Sequence, residues 1–269
     1  CFGAGNLTGE PRRYPLEPGA PGFVKFFDPY VYREKIKFDS EKATADYYVA
    51  KLREQVIYEG PDSTAAIVVE TITGSNGVII PPEGYLKGVR SICDEFGIMM
   101  ICDEVMAGWG RTGKMFAFEN FGVKPDIVTF AKGIGGGLPI GGAIFSEKCC
   151  DVLKPGDHGT TYGGNTVACA GAVEVLTRMD DAFLREVEAK GEYIKEKLMA
   201  MPQVKGVSGM GLMLGVAVEG KEASKVVSDA LEAGLMILTA KDKVRLLPPL
   251  TITYEEIDAG LAILEKALA

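Results

Sequence analysis

Two apolar runs in this chain each end on a residue that can do chemistry. IMMIC (98–102) leads into Asp103 and Glu104, and DIVTFA (126–131) leads into Lys132 and a cluster of glycines. A lysine amine can form a Schiff base with an aldehyde cofactor. A carboxylate at the far side of a pyridine ring keeps the ring nitrogen protonated, so that the ring accepts electrons from a carbanion. Opposite charges a few ångströms apart also favour both ionised forms. Taken singly, each residue has a plainer reading, Lys132 as a solvated cation and Asp103 as a cap or an ion-pair partner. The pair is distinguished by its placement at two strand-like ends, which would set the groups on either side of one flat ring.

That placement requires the two runs to be strands of one sheet. AAIVVETI (65–72), 98–102, 126–130 and IGGAIF (140–145) read as short strands. Between and around them, 41–58 has helical spacing, with Ala45, Tyr48, Val49 and Leu52 on one face. Residues 81–97 begin with proline and close at Gly97, as a helix should. Residues 165–179 and 180–200 read as an apolar and a polar-faced helix, and residues 1–40 as irregular. Strands alternating with helices predict an α/β fold, a three-layer and mostly parallel sheet, in which ligands bind beyond the carboxyl ends of the strands. Near 200 the character changes. VKGVSGMGLMLGVAVEG (204–220) reads as strand–turn–strand, 221–234 as a helix, LMIL (235–238) as a strand, KVRLLPPLTIT (243–253) as a strand and a Pro-Pro turn, and the last residues as a helix. The predicted division is a large domain, 1–200, and a small α+β domain, 201–269.

Composition narrows the function. A net charge of −8 argues against a nucleic-acid or anionic-membrane binder, either of which wants a basic face. No apolar run reaches the ~18–20 residues of a membrane span. The six cysteines include no CxxC pair and His158 is the single histidine, so no metal site is expected. The bland reading is reduced, buried thiols in a cytoplasmic protein. GIGGG lacks the order of a dinucleotide fingerprint.

The stretch DEVMAGWGRTGKMFAFENFGVKPDIVTFAKGIGGGLPIGG resembles the signature of class III, fold type I, pyridoxal-phosphate aminotransferases, and the likeness runs from NLTGEPRRYPLEPG to RLLPPLTIT. The resemblance implies pyridoxal 5'-phosphate as cofactor, Lys132 as the catalytic and cofactor-holding lysine, and Asp103 as partner of the pyridine nitrogen. By matching position, Val105 packs on the ring. Thr161, in GDHGTTYGGN, reaches the cofactor phosphate of a neighbouring subunit, which implies a homodimer. Arg245, in KVRLLPPL, binds the substrate carboxylate, for which a guanidinium fork is suited. Glu70 aligns with a glutamate near the cofactor, although Thr71 stands where the family usually has proline. Arg111 of GRTG reads as fixing its loop, and His158 as a turn residue.

The likeness divides between two branches. DPYVYR, ETITGSNGVIIPPEGYL and DEVMAG resemble ω-aminotransferases of the taurine or β-alanine:pyruvate kind, whereas KPGDHGTTYGGN and VRLLPPLTIT resemble acetylornithine aminotransferase. Ser75 stands where the acetylornithine branch carries an acid. The chain opens at CFGAGN without the family's N-terminal part, so the expectation is a large domain truncated at its N-terminus. The expected activity is transamination between an amino donor, an ω-amino acid or an N-acetylornithine or ornithine type, and a 2-oxo acid. The competing readings are a non-catalytic remnant of an aminotransferase and a same-fold aminomutase, racemase or decarboxylase.

Overall fold

The computed structural model describes residues 2–30 and 37–269. Cys1 and the second half of DPYVYR lie outside the described residues. The stretch expected to be irregular carries a short helix, α1 (Phe2–Leu7), and a 3-10 segment, Pro11–Leu16.

The first sheet has four strands in the order β1 (Ala66–Glu70), β2 (Met99–Asp103), β3 (Ile127–Phe130) and β4 (Gly142–Phe145). β1, β2 and β3 are parallel, and β4 runs antiparallel to β3. Chain length between strands decides this. β1 and β2 are separated by enough chain for a crossover helix, whereas β3 and β4 are joined by a short glycine turn with no room for one.

Helices α2 (Glu41–Glu59) and α3 (Tyr85–Phe96) cover one face. Tyr48, Leu52 and Val56 of α2 and Leu86, Val89 and Ile92 of α3 share a core with Ile67, Met100 and Cys102 of the strands. The Ser40 side chain accepts from the Ala43 N–H and so caps α2, while Gly97, left-handed at φ 70°, ends α3. The helix expected from Pro81 starts only at Tyr85, because Gly84 is left-handed at φ 92° and breaks the run before it.

After β4 come α4 (Thr166–Thr177) and α5 (Asp181–Met199). The second sheet is antiparallel, in the order β5 (Val204–Met210), β6 (Met213–Val218), β8 (Lys243–Leu246), β7 (Leu238–Ala240). It packs with α6 (Ala223–Glu232) and α7 (Tyr254–Leu268). Val187, Ile194 and Leu198 of α5 belong to this same core, with Leu212, Leu214, Val244 and Leu264. Fully burying a side chain such as Leu198 contributes about 1.5–3 kcal/mol. The strand expected at 235–238 begins only at Leu238. Gly234, at φ 91°, closes α6, and the Leu235 N–H turns back to the Ala230 carbonyl instead of entering a ladder.

Candidate active site

Register brings the first site residues together. Glu70 pairs with Asp103, and Asp103 with Thr129, so two carboxylates stand side by side at the carboxyl ends of β1 and β2, next to the strand that leads into Lys132. Asp103 Oδ1 accepts the Val105 N–H at 2.9 Å, which fixes the carboxylate as the chain leaves the strand.

Glu104, the next residue, has a different fate. It is fully buried. Its carboxylate accepts the Thr71 hydroxyl at 2.6 Å and the Ala117 and Phe118 N–H groups at 2.9 Å each. Burial nevertheless outweighs these bonds and pushes its carboxyl above the usual range. Glu104 thus organises the loop that follows β2.

Lys132 opens a 3-10 turn, Lys132–Gly135, and is exposed. Its φ of 53° is left-handed, a strained setting for a residue with a side chain. The turn sits tightly on α4. A Cβ on Gly136 would meet Val175 Cγ2 at 3.1 Å, and one on Gly171 would meet the Gly135 carbonyl at 3.2 Å.

Glu70 is exposed and does not line the cleft described below. Its Oε2 accepts the Gly74 N–H at 3.0 Å. Desolvation pushes its carboxyl upward, and the charge of Asp103 adds to this. The Gly74 N–H, Lys132 and Arg245 pull it back without cancelling the rise. Arg245, half-buried on β8, is shifted downward by burial and held up by Glu70. Its Nη1 points at Met106 Sδ, 4.0 Å away, and its Nε is buried without a hydrogen-bond partner among the described residues.

Val105, Met106, Trp109, Arg111, Lys132 and Arg245 line one cleft of about 1040 Å³ between the loop after β2, the Lys132 turn and β8. Thr161 is exposed and lies apart from this cleft, as does His158. Arg111 ties the loop to the second sheet. Its Nη1 donates to the Leu212 and Pro248 carbonyls at 3.1 and 2.5 Å, and the Leu212 N–H returns to the Arg111 carbonyl at 3.0 Å. Burial pulls this guanidinium down to about 10. Among the described residues no cluster of three or more His, Cys, Asp or Glu suits a metal ion.

Three contributors were not singled out in the sequence. The consecutive acids at 103 and 104 do not say which one turns inward. Met106 reaches Arg245 only through the tertiary fold. Trp109, the single tryptophan, is buried at the left-handed φ of 54° against Phe116 and Phe130, which nothing in a local pattern announces.

The sequence profile of class-III aminotransferases matches residues 10–268. The chain belongs to the class-III aminotransferases. Among curated members, acetylornithine aminotransferase of Corynebacterium efficiens is 42% identical over 265 residues, 98% of this chain and 61% of that enzyme. The Haemophilus ducreyi acetylornithine aminotransferase is 45% identical over 205 residues, 76% of this chain and 52% of its own length. This class-III aminotransferase chain thus spans between about half and three-fifths of those relatives. Among solved structures, the taurine:2-oxoglutarate aminotransferase of Bifidobacterium kashiwanohense, in complex with PLP and glutamate, superposes with a TM-score of 0.91 at 38% identity, covering 99% of this chain and 66% of that one. The matches therefore include both branches of the family that the sequence resembles.

Proposed function

We propose that this chain serves pyridoxal-phosphate-dependent transamination between an amino donor, of the ω-amino acid or N-acetylornithine and ornithine type, and a 2-oxo acid. The observation that carries the reading is the convergence of one amine, two carboxylates and one guanidinium from separate parts of the chain. Glu70 is adjacent to Asp103 by register and senses both Lys132 and Arg245. The donor set fits the cofactor. Lys132 is an accessible amine at a strand end, and Asp103 is a fixed carboxylate on the neighbouring strand.

Bound there, pyridoxal phosphate supplies an electron sink for the carbanion formed at the substrate carbon. Lys132 would hold the cofactor through its amine, and the same amine is the group placed to move a proton at the substrate carbon. Asp103 would hold the pyridine nitrogen in its protonated form, and Val105, which lines the cleft, would pack on the ring. Glu70 lies near the cofactor. Arg245 takes a substrate carboxylate, its guanidinium facing no protein carboxylate at ion-pair distance among the described residues.

The reading includes a homodimer, in which Thr161 of one chain serves the phosphate of its neighbour. Exposed Ile144 and Phe145 on β4, Tyr162, and Val167 and Val173 on α4 form apolar surface suited to burial against another chain. It also includes a large domain, 1–200, and a small domain, 201–269, with α5 packed into the core of the latter. The reducing cytoplasm suits five cysteines that are free among the described residues.

Cofactor titration tests the assignment. Wild type gains an absorbance band near the visible edge, and Lys132→Ala does not. Equal binding by both chains would overturn the role of Lys132. A folded chain with no spectral change would favour a non-catalytic remnant, and product analysis with a 2-oxo acid separates transamination from racemisation, mutase or decarboxylase chemistry.

A further inference from the structure

One side chain, Met106, lies against both Arg245 and Gly74, the residue whose N–H holds Glu70. Gly74 donates its N–H to the Glu70 carboxylate at 3.0 Å. A Cβ on Gly74 would lie only 2.1 Å from Met106 Sδ, so the absence of a side chain at 74 is what admits the thioether. The same sulfur faces Arg245 Nη1 at 4.0 Å. Met106 packs against the core cluster that includes Ile72, Val78 and Met213, the last of which also approaches Gly74. Glu70 and Arg245 feel each other's charge, yet they form no ion pair among the described residues.

We propose that Met106 is a spacer that keeps Glu70 and Arg245 from closing on one another, so that the guanidinium remains available to a carboxylate on the ligand. The chemistry favours a thioether for this task. Sulfur is a weak acceptor, so it occupies the volume without satisfying the guanidinium. A carboxylate reaching across would satisfy it bidentately and take the site out of use. Met106 is therefore a positioning residue, and it sets a preference for ligands that carry a carboxylate. The inference rests on the assignment of Arg245 to carboxylate binding.

Glutarate, a dicarboxylate with neither amine nor carbonyl to react, is the probe. Trp109 lies in the same cleft, and its fluorescence reports occupancy in the full chain. Met106→Ala opens the gap, and affinity should fall about two- to fivefold, the scale of a partly exposed ion pair. Met106→Leu restores the bulk and should restore affinity, and Met106→Ala/Glu70→Gln should recover it by removing the competing carboxylate. If Met106→Ala proves unfolded by circular dichroism, Met106→Val makes the same comparison with a smaller gap. Binding by the small variant equal to wild type, or no recovery on adding Glu70→Gln, overturns the spacer. No glutarate response in wild type overturns the Arg245 assignment and the spacer with it.

Discussion

Glu104→Gln keeps the shape of a fully buried side chain and changes only its charge and acceptors. A glutamine oxygen can still take the Thr71 hydroxyl and the Phe118 N–H, but its nitrogen then faces the Ala117 N–H, and Ala117 is fully buried. One buried N–H without an acceptor costs about 1–3 kcal/mol, and two charge-assisted bonds made neutral lose about 1 kcal/mol each. Relief of carboxylate desolvation offsets part of this, leaving about 2–4 kcal/mol of destabilisation. Urea unfolding at pH 7 reads it directly. The pH dependence supplies a second check. The folded pKa of Glu104 lies above its ordinary value, so its contribution to stability is least at neutral pH. That contribution grows as pH falls through the folded value toward the ordinary carboxylate range near ~4.3. Glutamine has no such dependence, so the gap between wild type and variant should widen as pH falls from neutrality through the folded value of Glu104. A gap below about 1 kcal/mol at pH 7, or one that narrows on acidification, would refute this account of the loop.

Two further outcomes follow from packing and burial. A Cβ on Gly191 would lie 2.2 Å from the Gly211 carbonyl oxygen and 2.6 Å from its carbon, so Gly191→Ala must shift backbone and should cost about 1–3 kcal/mol in urea unfolding, with an unchanged midpoint counting against it. Burial raises the Cys93 and Cys102 thiols to about 11 and about 12, whereas Cys150 is exposed. An electrophilic thiol reagent followed by peptide mapping should label Cys150 in the native chain, and Cys93 and Cys102 only after denaturation. Rapid native labelling of Cys102 would contradict its burial.

Local pattern carried much of the architecture. The apolar runs before Asp103 and Lys132 are strands on neighbouring positions of one sheet because such runs are short, β-rich and bounded by turn residues. Gly97 ends α3 because a left-handed residue is the cheapest way to stop a helix. Other features depend on distant partners. Asp103 and Glu104 look alike in sequence, and only the seating of Thr71, Ala117 and Phe118 around Glu104 separates them. Met106 and Arg245 lie far apart in the chain and meet because β8 folds back beside the loop after β2. The polar-faced helix at 180–200 gave its own extent but not its allegiance, since Val187, Ile194 and Leu198 find their partners only once the second sheet is assembled.

The attachment of Arg111 to Leu212 and Pro248 bears on how this wall can vary. The contacts that hold the loop against β6 and β8 end on main-chain carbonyls, and every residue type has one of those. Side chains at neighbouring lining positions such as Met106 and Arg245 can therefore be exchanged without loosening the frame on which they are mounted. Ligand choice on this wall can drift by point substitution while the gauge of the cleft is held constant.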